Sequence, residues 1–475
     1  MSKPIPPLDL MWLLMESQAS PTHVGALLLF EKPKRRPNCV REIVTAYRSY
    51  APTPPFNYIP ELRRTRMPRF QEARTYDPQY HNQHIALPAA STYADLLRLV
   101  ADLHESMLDR DRPLFRNWII DCVPDDRFAL YVKVHHAIVD GVSGTKRLYS
   151  SLGANDRHAI LRPAFAAELP LRKPRPPKAL VDRITAFGLS ATQQTIAIRE
   201  VSFGAITKRL ATLLGADPVG SAPFTAHRGP MNEPLQMARS VATLSLPLDE
   251  MHSVGKHFGA TLNDLAVTIV DEGVHRYLQQ TDRVFPHRLV AFCPVSLRSE
   301  TDTEAGTKAS AMFVHLGDPG ATVVARIAQV IKAMGTAKQE LRSMSTDAAT
   351  TYAVGLLGVA EMTVATHIDR VTPPLANMVI SNVPGVRQPM YLNGARLIGN
   401  FPLSAIAMSV GLNATLTSYN DRMDFGFVGN GATMRDLPEL ARHVQKAYEE
   451  LRKATSPQQA AKRRAVRKTA ARSKS

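Results

Sequence analysis

Two periods of hydrophobic residues alternate along the chain, one typical of strands and one typical of helices. Residues 23–30 and 128–136 are apolar runs of strand length, and residues 94–108 have the wider spacing of an amphipathic helix. In the second half, the pattern predicts strands at residues 238–246, 288–297, 377–381 and 423–427, and a helix at residues 261–279. Strands and helices mixed through both halves predict α/β layers in each of two domains.

Composition divides the 475 residues into four segments. We expect an N-terminal domain at residues 1–162, a proline-rich, basic and partly helical crossover linker at 163–234, a C-terminal domain at 235–451 and a basic tail at 452–475. A helix is expected near residues 180–214 within the linker. Each domain is long enough to bury its own core.

The net charge of +16 is concentrated at the C-terminus, where residues 452–475 contain nine basic residues and no acidic one. The remaining residues therefore have a net charge of +7. Such a run is a solvated tail, a nucleic-acid arm or an anchor to anionic lipid, for which about 1 kcal/mol per basic residue is available near the membrane. We expect no nucleic-acid partner and leave the tail and anchor interpretations open.

Several classes of protein are disfavoured by the sequence. The three cysteines, Cys39, Cys122 and Cys293, are widely spaced, so neither a disulfide framework nor a thiolate metal site is predicted. No secretory signal is evident, and the most apolar stretches are shorter than the roughly 18 residues that a spanning helix needs. We expect a cytoplasmic protein whose contact with a membrane face or a lipid inclusion is peripheral.

A His-His-x-x-x-Asp-Gly motif follows the predicted strand at residues 128–136. Strand alternation points His135 and His136 in opposite directions, and His136 continues the apolar face into a partly desolvated place. An imidazole, with an ordinary pKa of about 6.5, can accept a hydroxyl proton there, so His136 is the candidate general base. Asp140 has the position of a third triad member or of a structural residue before the turn at Gly141, and we favour the structural role. Alone, the motif is equally consistent with ordinary strand-end histidines and a common turn.

Two asparagines are candidates for stabilising the oxyanion of a tetrahedral intermediate. Thr261 and Asp264 have capping-box spacing, which explains the aspartate but not Asn263 between them. Asn382 precedes a Val-Pro-Gly turn. Either residue is also compatible with a purely structural role. Arg298, at the end of a strand in the other domain, is the hypothetical ion-pair partner of Asp140.

The order and spacing of the motifs over residues 7–450 resemble one family. The matching blocks are Pro7-Leu8-Asp9, His23-Val24-Gly25, Leu108-Asp109-Arg110-Asp111-Arg112-Pro113-Leu114, His135-His136-x-x-x-Asp140-Gly141, Asn263-Asp264, Pro294-Val295-Ser296-Leu297-Arg298, Ser381-Asn382-Val383-Pro384-Gly385 and residues 413–419. Together they are similar to bacterial wax ester synthase/acyl-CoA:diacylglycerol acyltransferases. The chain departs from many members in having Phe115 in place of a tryptophan and Gly306-Thr307 in place of a Gly-Asn pair.

The resemblance implies an α/β fold of two chloramphenicol-acetyltransferase-like domains joined by a crossover linker, with a substrate tunnel at their interface. It implies transfer of a long acyl chain from acyl-CoA to a fatty alcohol or a diacylglycerol, with a coenzyme A thioester as substrate and no metal or other cofactor. His136 would be the base, His135 its supporting neighbour and Asp140 a structural residue. Direct attack within a ternary complex is the expected mechanism, since no serine lies in a Gly-x-Ser-x-Gly motif.

Small residues spaced along a predicted helix could line an apolar channel for lipid substrates. Gly355 and Ala360 are the candidates on this helix, and Met408 lies in a segment that could face them. Packing between helices explains the small residues equally well.

Two alternatives to the O-acyltransferase remain. One is a relative of condensation domains that forms amides from carrier-bound substrates, which shares the His-His-x-x-x-Asp-Gly motif. The other is a lipid-binding or lipid-body protein that keeps the fold without turnover. The sequence leaves open the preferred acceptor, the chain length and the basic residues that bind coenzyme A.

Overall fold

The computed structural model describes residues 2–34, 36–63, 67–139, 141–156, 162–167, 223–281, 283–296, 309–344 and 346–455. Its helices are α1 (Pro7–Met15), α2 (Cys39–Ser49), α3 (Pro78–His81), α4 (Tyr93–Glu105), α5 (Gly141–Ser150), α6 (Leu248–Phe258), α7 (Leu262–Gln280), α8 (Val323–Arg342), α9 (Thr346–Ala365) and α10 (Leu437–Ala454). Its strands are β1 (Ser2–Pro4), β2 (His23–Glu31), β3 (Tyr58–Glu61), β4 (Arg69–Glu72), β5 (Asn82–Ala86), β6 (Phe115–Val123), β7 (Arg127–His135), β8 (Arg239–Pro247), β9 (Val290–Ser296), β10 (Ala309–His315), β11 (Met378–Val383), β12 (Tyr391–Leu392), β13 (Ala395–Leu403), β14 (Leu412–Tyr419) and β15 (Arg422–Asn430).

The N-terminal half is built on a six-stranded sheet in the order β12-β13-β2-β7-β6-β5. Strands β2 and β7 are antiparallel neighbours, and their register places His23 opposite His135. Because β2 and β7 are surrounded by other strands and covered on both faces, most of their side chains are buried. The predicted strand at residues 23–30 is confirmed. The predicted strand at 128–136 is also confirmed, but it ends at His135, so His136 begins the turn that follows.

The C-terminal half is built on a second six-stranded sheet in the order β10-β9-β11-β14-β15-β8. Helix α7 begins with the predicted capping box, in which the Thr261 and Asp264 side chains each accept the other residue's backbone N–H. It packs so closely on α10 that a Cβ at Gly273 would lie 2.4 Å from a side-chain carbon of Val444. The strands and helix predicted in this half are present, with ends shifted by a few residues.

The C-terminal half of the chain contributes two strands to the N-terminal sheet. Strands β12 and β13 lie within the second half of the sequence, yet they complete the edge of the N-terminal sheet, where β13 pairs with β2. The expected domain at 235–451 is therefore interrupted by a segment that belongs to the other sheet. The expected helix at 180–214 and the basic tail beyond residue 455 lie outside the described residues, as does most of the expected linker. None of the described helices has the length and apolar character needed to cross a membrane.

A buried carboxylate links the C-terminal sheet to β13 of the N-terminal sheet. Asp424 on β15 accepts the backbone N–H of Asn400 on β13 at 2.8 Å and the hydroxyl of Ser245 on β8 at 2.5 Å. The residue has no solvent exposure. Burial raises the pKa of Asp424 from 3.8 to about 7, although both hydrogen bonds favour the ionised form.

Replacing Asp424 by Asn should raise the stability of the chain relative to the native chain, and this difference should be larger at pH 8 than at pH 5. The folded native chain holds the Asp424 proton up to about pH 7, whereas the unfolded chain releases it near 3.8, so native stability falls as pH rises between these values. The asparagine can satisfy both partners without a charge. Urea unfolding should give a stability difference that grows by at least about 1 kcal/mol between the two pH values.

The matched control is Asp421→Asn, which removes a carboxylate that is mostly exposed just before the same strand. We expect its effect on the unfolding free energy to be small and nearly equal at both pH values. If Asp424→Asn also had a small effect on the unfolding free energy that was nearly equal at both pH values, Asp424 would not be a buried carboxylate that binds a proton in the folded chain.

Candidate active site

His136 lies at the end of β7, in the turn before α5, and its imidazole is partly exposed. Its backbone N–H donates to the carbonyl of Thr22 at 3.0 Å. Its ring stacks on the indole of Trp12 in α1, with ring centres 4.1 Å apart and planes inclined by 14°. The candidate base is therefore held by contacts to both its backbone and its ring.

His135 is fully buried and faces away from this stack. Its Nδ1 accepts the backbone N–H of Ala137 at 3.1 Å, so its proton resides on Nε2. Nε2 lies 3.2 Å from the Thr22 hydroxyl and 3.4 Å from a carboxylate oxygen of Glu16. With both nitrogens engaged inside the protein, His135 supports the loop and is not placed to contact a substrate.

Glu16, just beyond α1, is a buried carboxylate that the sequence analysis did not identify as part of the site. Its side chain has no solvent exposure. Arg110 donates from Nε and from a terminal nitrogen to the same Glu16 oxygen, at 3.1 and 3.0 Å, and also to the carbonyl of Leu13 at 2.6 Å. Burial opposes ionisation of Glu16, but hydrogen bonds from His135 and Arg110 and the positive charge of Arg110 outweigh it and lower its pKa. Arg110 thereby gives a structural role to the Leu-Asp-Arg-Asp-Arg-Pro-Leu block.

A second buried polar group lies behind the motif strand. Lys133 on β7 donates to the carbonyls of Leu103 and Ser106, where α4 ends. Burial lowers the pKa of Lys133 from 10.5 to about 7. His23, opposite His135, is also buried, and its pKa lies well below the ordinary value, chiefly because of burial. Both groups face the interior and not the partly exposed His136.

The motif loop contacts the C-terminal half through Gly141, which begins α5. A Cβ at Gly141 would lie 3.5 Å from a methyl group of Val383, the last residue of β11. Asp140 and Arg298 both lie outside the described residues, so their hypothetical ion pair stays a prediction. The contact between Gly141 and Val383 brings the base-bearing loop to the end of β11.

The two predicted asparagines line one cavity, and one of them is next to this contact. The cavity has a volume of about 480 Å³. It is lined by Asn263, Cys293, Pro294, Val295, Met312, Lys338, Leu341, Arg342, Met344, Ala349, Ile380 and Asn382. Asn382 and Val383 are consecutive residues of β11, so their side chains point to opposite faces of the sheet: Asn382 lines the cavity, and Val383 faces Gly141. Burial raises the pKa of the Cys293 thiol to about 12, which disfavours a thiolate nucleophile there.

The predicted tunnel residues do not share one environment. Ala360 on α9 and Met408 belong to one apolar cluster with Leu356, Phe313 and Val290. Gly355 is exposed instead, and a Cβ there would meet no atom within 4 Å. Ala360 and Met408 are thus brought together and Gly355 is separated from them.

Among the described residues, no group of three or more His, Cys, Asp or Glu side chains is arranged to hold a metal ion.

Comparison with solved structures shows that the chain has a fold found in acyltransferases. The first condensation domain of the CDA synthetase superposes with a TM-score of 0.54 at 17% identity, covering 96% of this chain and 97% of that one, which shows the fold. The wax ester synthase/diacylglycerol acyltransferase from Marinobacter aquaeolei VT8 superposes with a TM-score of 0.75 at 28% identity, covering 94% of this chain and 98% of that one. The predicted two-domain α/β fold is confirmed.

The sequence comparisons define the family. Residues 5–266 match the wax ester synthase/diacylglycerol acyltransferase catalytic domain, and residues 305–452 match the C-terminal domain of the same family. A Mycobacterium tuberculosis protein proposed to be a diacylglycerol O-acyltransferase is 32% identical over 94% of this chain and 99% of its own length. O-acyltransferase WSD of Acinetobacter baylyi is 28% identical over 93% of this chain and 95% of its own. The chain belongs to the wax ester synthase/diacylglycerol acyltransferase family and is an acyltransferase, as the sequence motifs predicted.

Proposed function

We propose that this enzyme transfers a long acyl chain from acyl-CoA to a fatty alcohol, and also to diacylglycerol, with His136 as the general base. The observation that supports this most directly is the partly exposed His136 ring, held by Trp12 and Thr22 beside the contact between the two halves. A base in this place can reach substrates that enter between the halves. Asn263 and Asn382, which line one cavity, are the proposed source of amide groups for the reaction.

In the proposed reaction, both substrates are bound at once. His136 removes the acceptor's hydroxyl proton while the oxygen attacks the thioester carbonyl carbon, which forms the new C–O bond. An amide N–H from Asn263 or Asn382 stabilises the oxyanion of the tetrahedral intermediate, an interaction worth about 3 kcal/mol in other acyl-transfer enzymes. The C–S bond then breaks, and the imidazolium returns its proton to the sulfur. The products are an ester and free coenzyme A, with no acyl-enzyme and no cofactor.

Replacing His136 by Ala should abolish acceptor-dependent release of coenzyme A thiol from palmitoyl-CoA. A general base typically contributes about 10²–10⁴-fold, so we expect the rate to fall by about 10³-fold. The rate with hexadecanol, dipalmitoylglycerol or no acceptor separates wax ester synthesis from triacylglycerol synthesis. His84→Ala, a change at an exposed histidine on β5, should leave the rate unchanged. Equal rates for the His136 variant and the native chain would contradict the mechanism.

We also propose that the cavity between α7, α8 and β11 receives the coenzyme A part of the donor. Lys338 and Arg342 contribute positive charge to its lining, and coenzyme A is rich in phosphate. Lys338 already lies 3.2 Å from a carboxylate oxygen of Asp264, whose other oxygen serves the capping box. Arg342 is therefore the better candidate for a direct phosphate contact.

Arg342→Gln should raise the KM for palmitoyl-CoA about 5- to 10-fold and leave kcat within about twofold, because one charged hydrogen bond to phosphate is lost. The effect should disappear with palmitoyl-N-acetylcysteamine, a thioester donor without phosphates. Arg41→Gln changes an exposed arginine on α2 and is the matched control. An unchanged KM for palmitoyl-CoA, or an equal rise with both donors, would exclude a phosphate contact at Arg342.

We further propose that the chain takes its acceptor from an anionic lipid surface, at the cytoplasmic membrane face or a lipid inclusion. Four exposed apolar side chains lie on α9 and the short helical turn after it: Val359, Met362, Ile368 and Val371. Arg370 is exposed in the same turn, whereas the Asp369 carboxylate is occupied by the Ser409 hydroxyl at 2.6 Å. The apolar group with a neighbouring cation suits a surface of negative charge.

Sedimentation with phosphatidylcholine vesicles containing about 30% phosphatidylglycerol tests this surface. Met362→Asp combined with Val371→Asp should weaken binding about tenfold or more, because two apolar contacts are lost and two negative charges are added. Val284→Asp, at another exposed apolar residue, should bind like the native chain. If the double variant bound normally while removal of residues 456–475 abolished binding, the tail and not this surface would hold the lipid.

A further inference from the structure

Helix α1 reaches the motif loop with an aromatic side chain that the reaction itself does not require. Trp12 is partly exposed, and the rest of its side chain packs against the apolar core of the N-terminal half. Its indole lies nearly parallel to the His136 imidazole, at a centre-to-centre distance of 4.1 Å. The edges of the imidazole, which hold its two nitrogens, are not covered by such a stack.

We propose that Trp12 is a positioning residue for His136: it fixes the plane of the imidazole and stabilises the imidazolium that forms during acyl transfer. The inference rests on the proposed role of His136 as the base. An aromatic face attracts a cation held against it and interacts less with the neutral ring. The stack therefore favours the protonated state that His136 must reach when it takes the hydroxyl proton.

Thr22 fixes the two stacked residues relative to each other. Its hydroxyl donates to the carbonyl of Trp12 at 2.8 Å, and its own carbonyl accepts the backbone N–H of His136 at 3.0 Å. Thr22 is completely buried. One residue thus connects the backbones at both sides of the ring stack, so the indole and the imidazole are placed by one rigid link.

The charged groups around this link hold α1 in place. Arg110 donates to Glu16 and to the carbonyl of Leu13, so it holds the end of the helix that contains Trp12. Glu16 in turn faces His135 Nε2 at 3.4 Å. Glu16, Arg110 and His135 are the described titratable groups that face the loop, and Lys133 and His23 lie behind them. Replacing Trp12 removes none of these titratable side chains. We therefore assign an effect on His136 to loss of the indole.

The test compares Trp12→Leu and Trp12→Phe with the native chain. Diethyl pyrocarbonate modifies the neutral imidazole, so the rate of His136 modification against pH, followed by mass spectrometry, gives the pKa of His136 without turnover. In Trp12→Leu, we expect the inflection of the modification rate to lie roughly half a pH unit to one pH unit below that of the native chain, because the imidazolium loses its aromatic neighbour. Trp12→Phe should lie between the two.

Turnover of the same variants provides the second measurement. Trp12→Leu should lower kcat about 10- to 100-fold with the KM for palmitoyl-CoA within about twofold, and Trp12→Phe should recover most of the rate. Leu14→Ala, at an exposed residue of the same helix, should keep native kcat. An identical inflection in all three chains, or equal losses of kcat in both Trp12 variants, would overturn the proposal. A native chain without acyl transfer would instead refute the proposed function, and the modification rates would still decide the role of the stack.

Thr22 provides an independent check on how the indole is held. Thr22→Val removes the hydroxyl, which donates to Trp12 and also lies 3.2 Å from His135 Nε2, and keeps the side-chain shape. Thr22→Ser keeps the hydroxyl. The inflection for His136 should move down in the valine variant and return close to native in the serine variant. Equal inflections in the two variants would contradict the link through Thr22.

Discussion

The site depends on keeping one buried carboxylate ionised. Glu16 has no solvent exposure, and a buried charge is tolerated only when it is paired and hydrogen-bonded. Arg110 and His135 supply that pairing, and each belongs to a different segment of the chain. Loss of Arg110 would leave the Glu16 charge buried without its cationic partner, which is unfavourable, so the interaction favours one arrangement of α1. Trp12 and His136 meet because this arrangement is fixed.

The second constraint is the position of β12 and β13, which come from the C-terminal half of the chain and lie in the N-terminal sheet. Strand β13 pairs with β2, and β2 pairs with β7, so a segment of the C-terminal half is two strands away from the strand that leads into the His-His-x-x-x-Asp-Gly motif. Asp424 reinforces the same junction from β15 through Asn400. On another side, Gly141 contacts Val383 at the end of β11. Both contacts join the two halves, and the proposed reaction requires its two substrates to meet between them.

Local sequence signals predicted the elements that local interactions determine. The alternation before His135 and the capping box at Thr261 depend on neighbouring residues, and both are present in the structure. Glu16, Trp12 and Arg110 could not be assigned in the same way, because their roles arise from contacts between segments about 100 residues apart. The edge position of β13 is non-local for the same reason. The spacing of Gly355 and Ala360 predicted a helix with small residues, but spacing alone does not determine which side faces the apolar cluster.

We propose that His136 acts on an acceptor hydroxyl held at the junction of the two halves. A crystal structure with hexadecanol and a non-reactive thioether analogue of palmitoyl-CoA would show where this hydroxyl binds. The proposed mechanism places the hydroxyl oxygen within about 2.6–3.2 Å of a ring nitrogen at the edge of His136, with the indole of Trp12 still stacked on one face of the ring. A hydroxyl bound beyond the reach of His136, or a base contact made by another side chain, would contradict it.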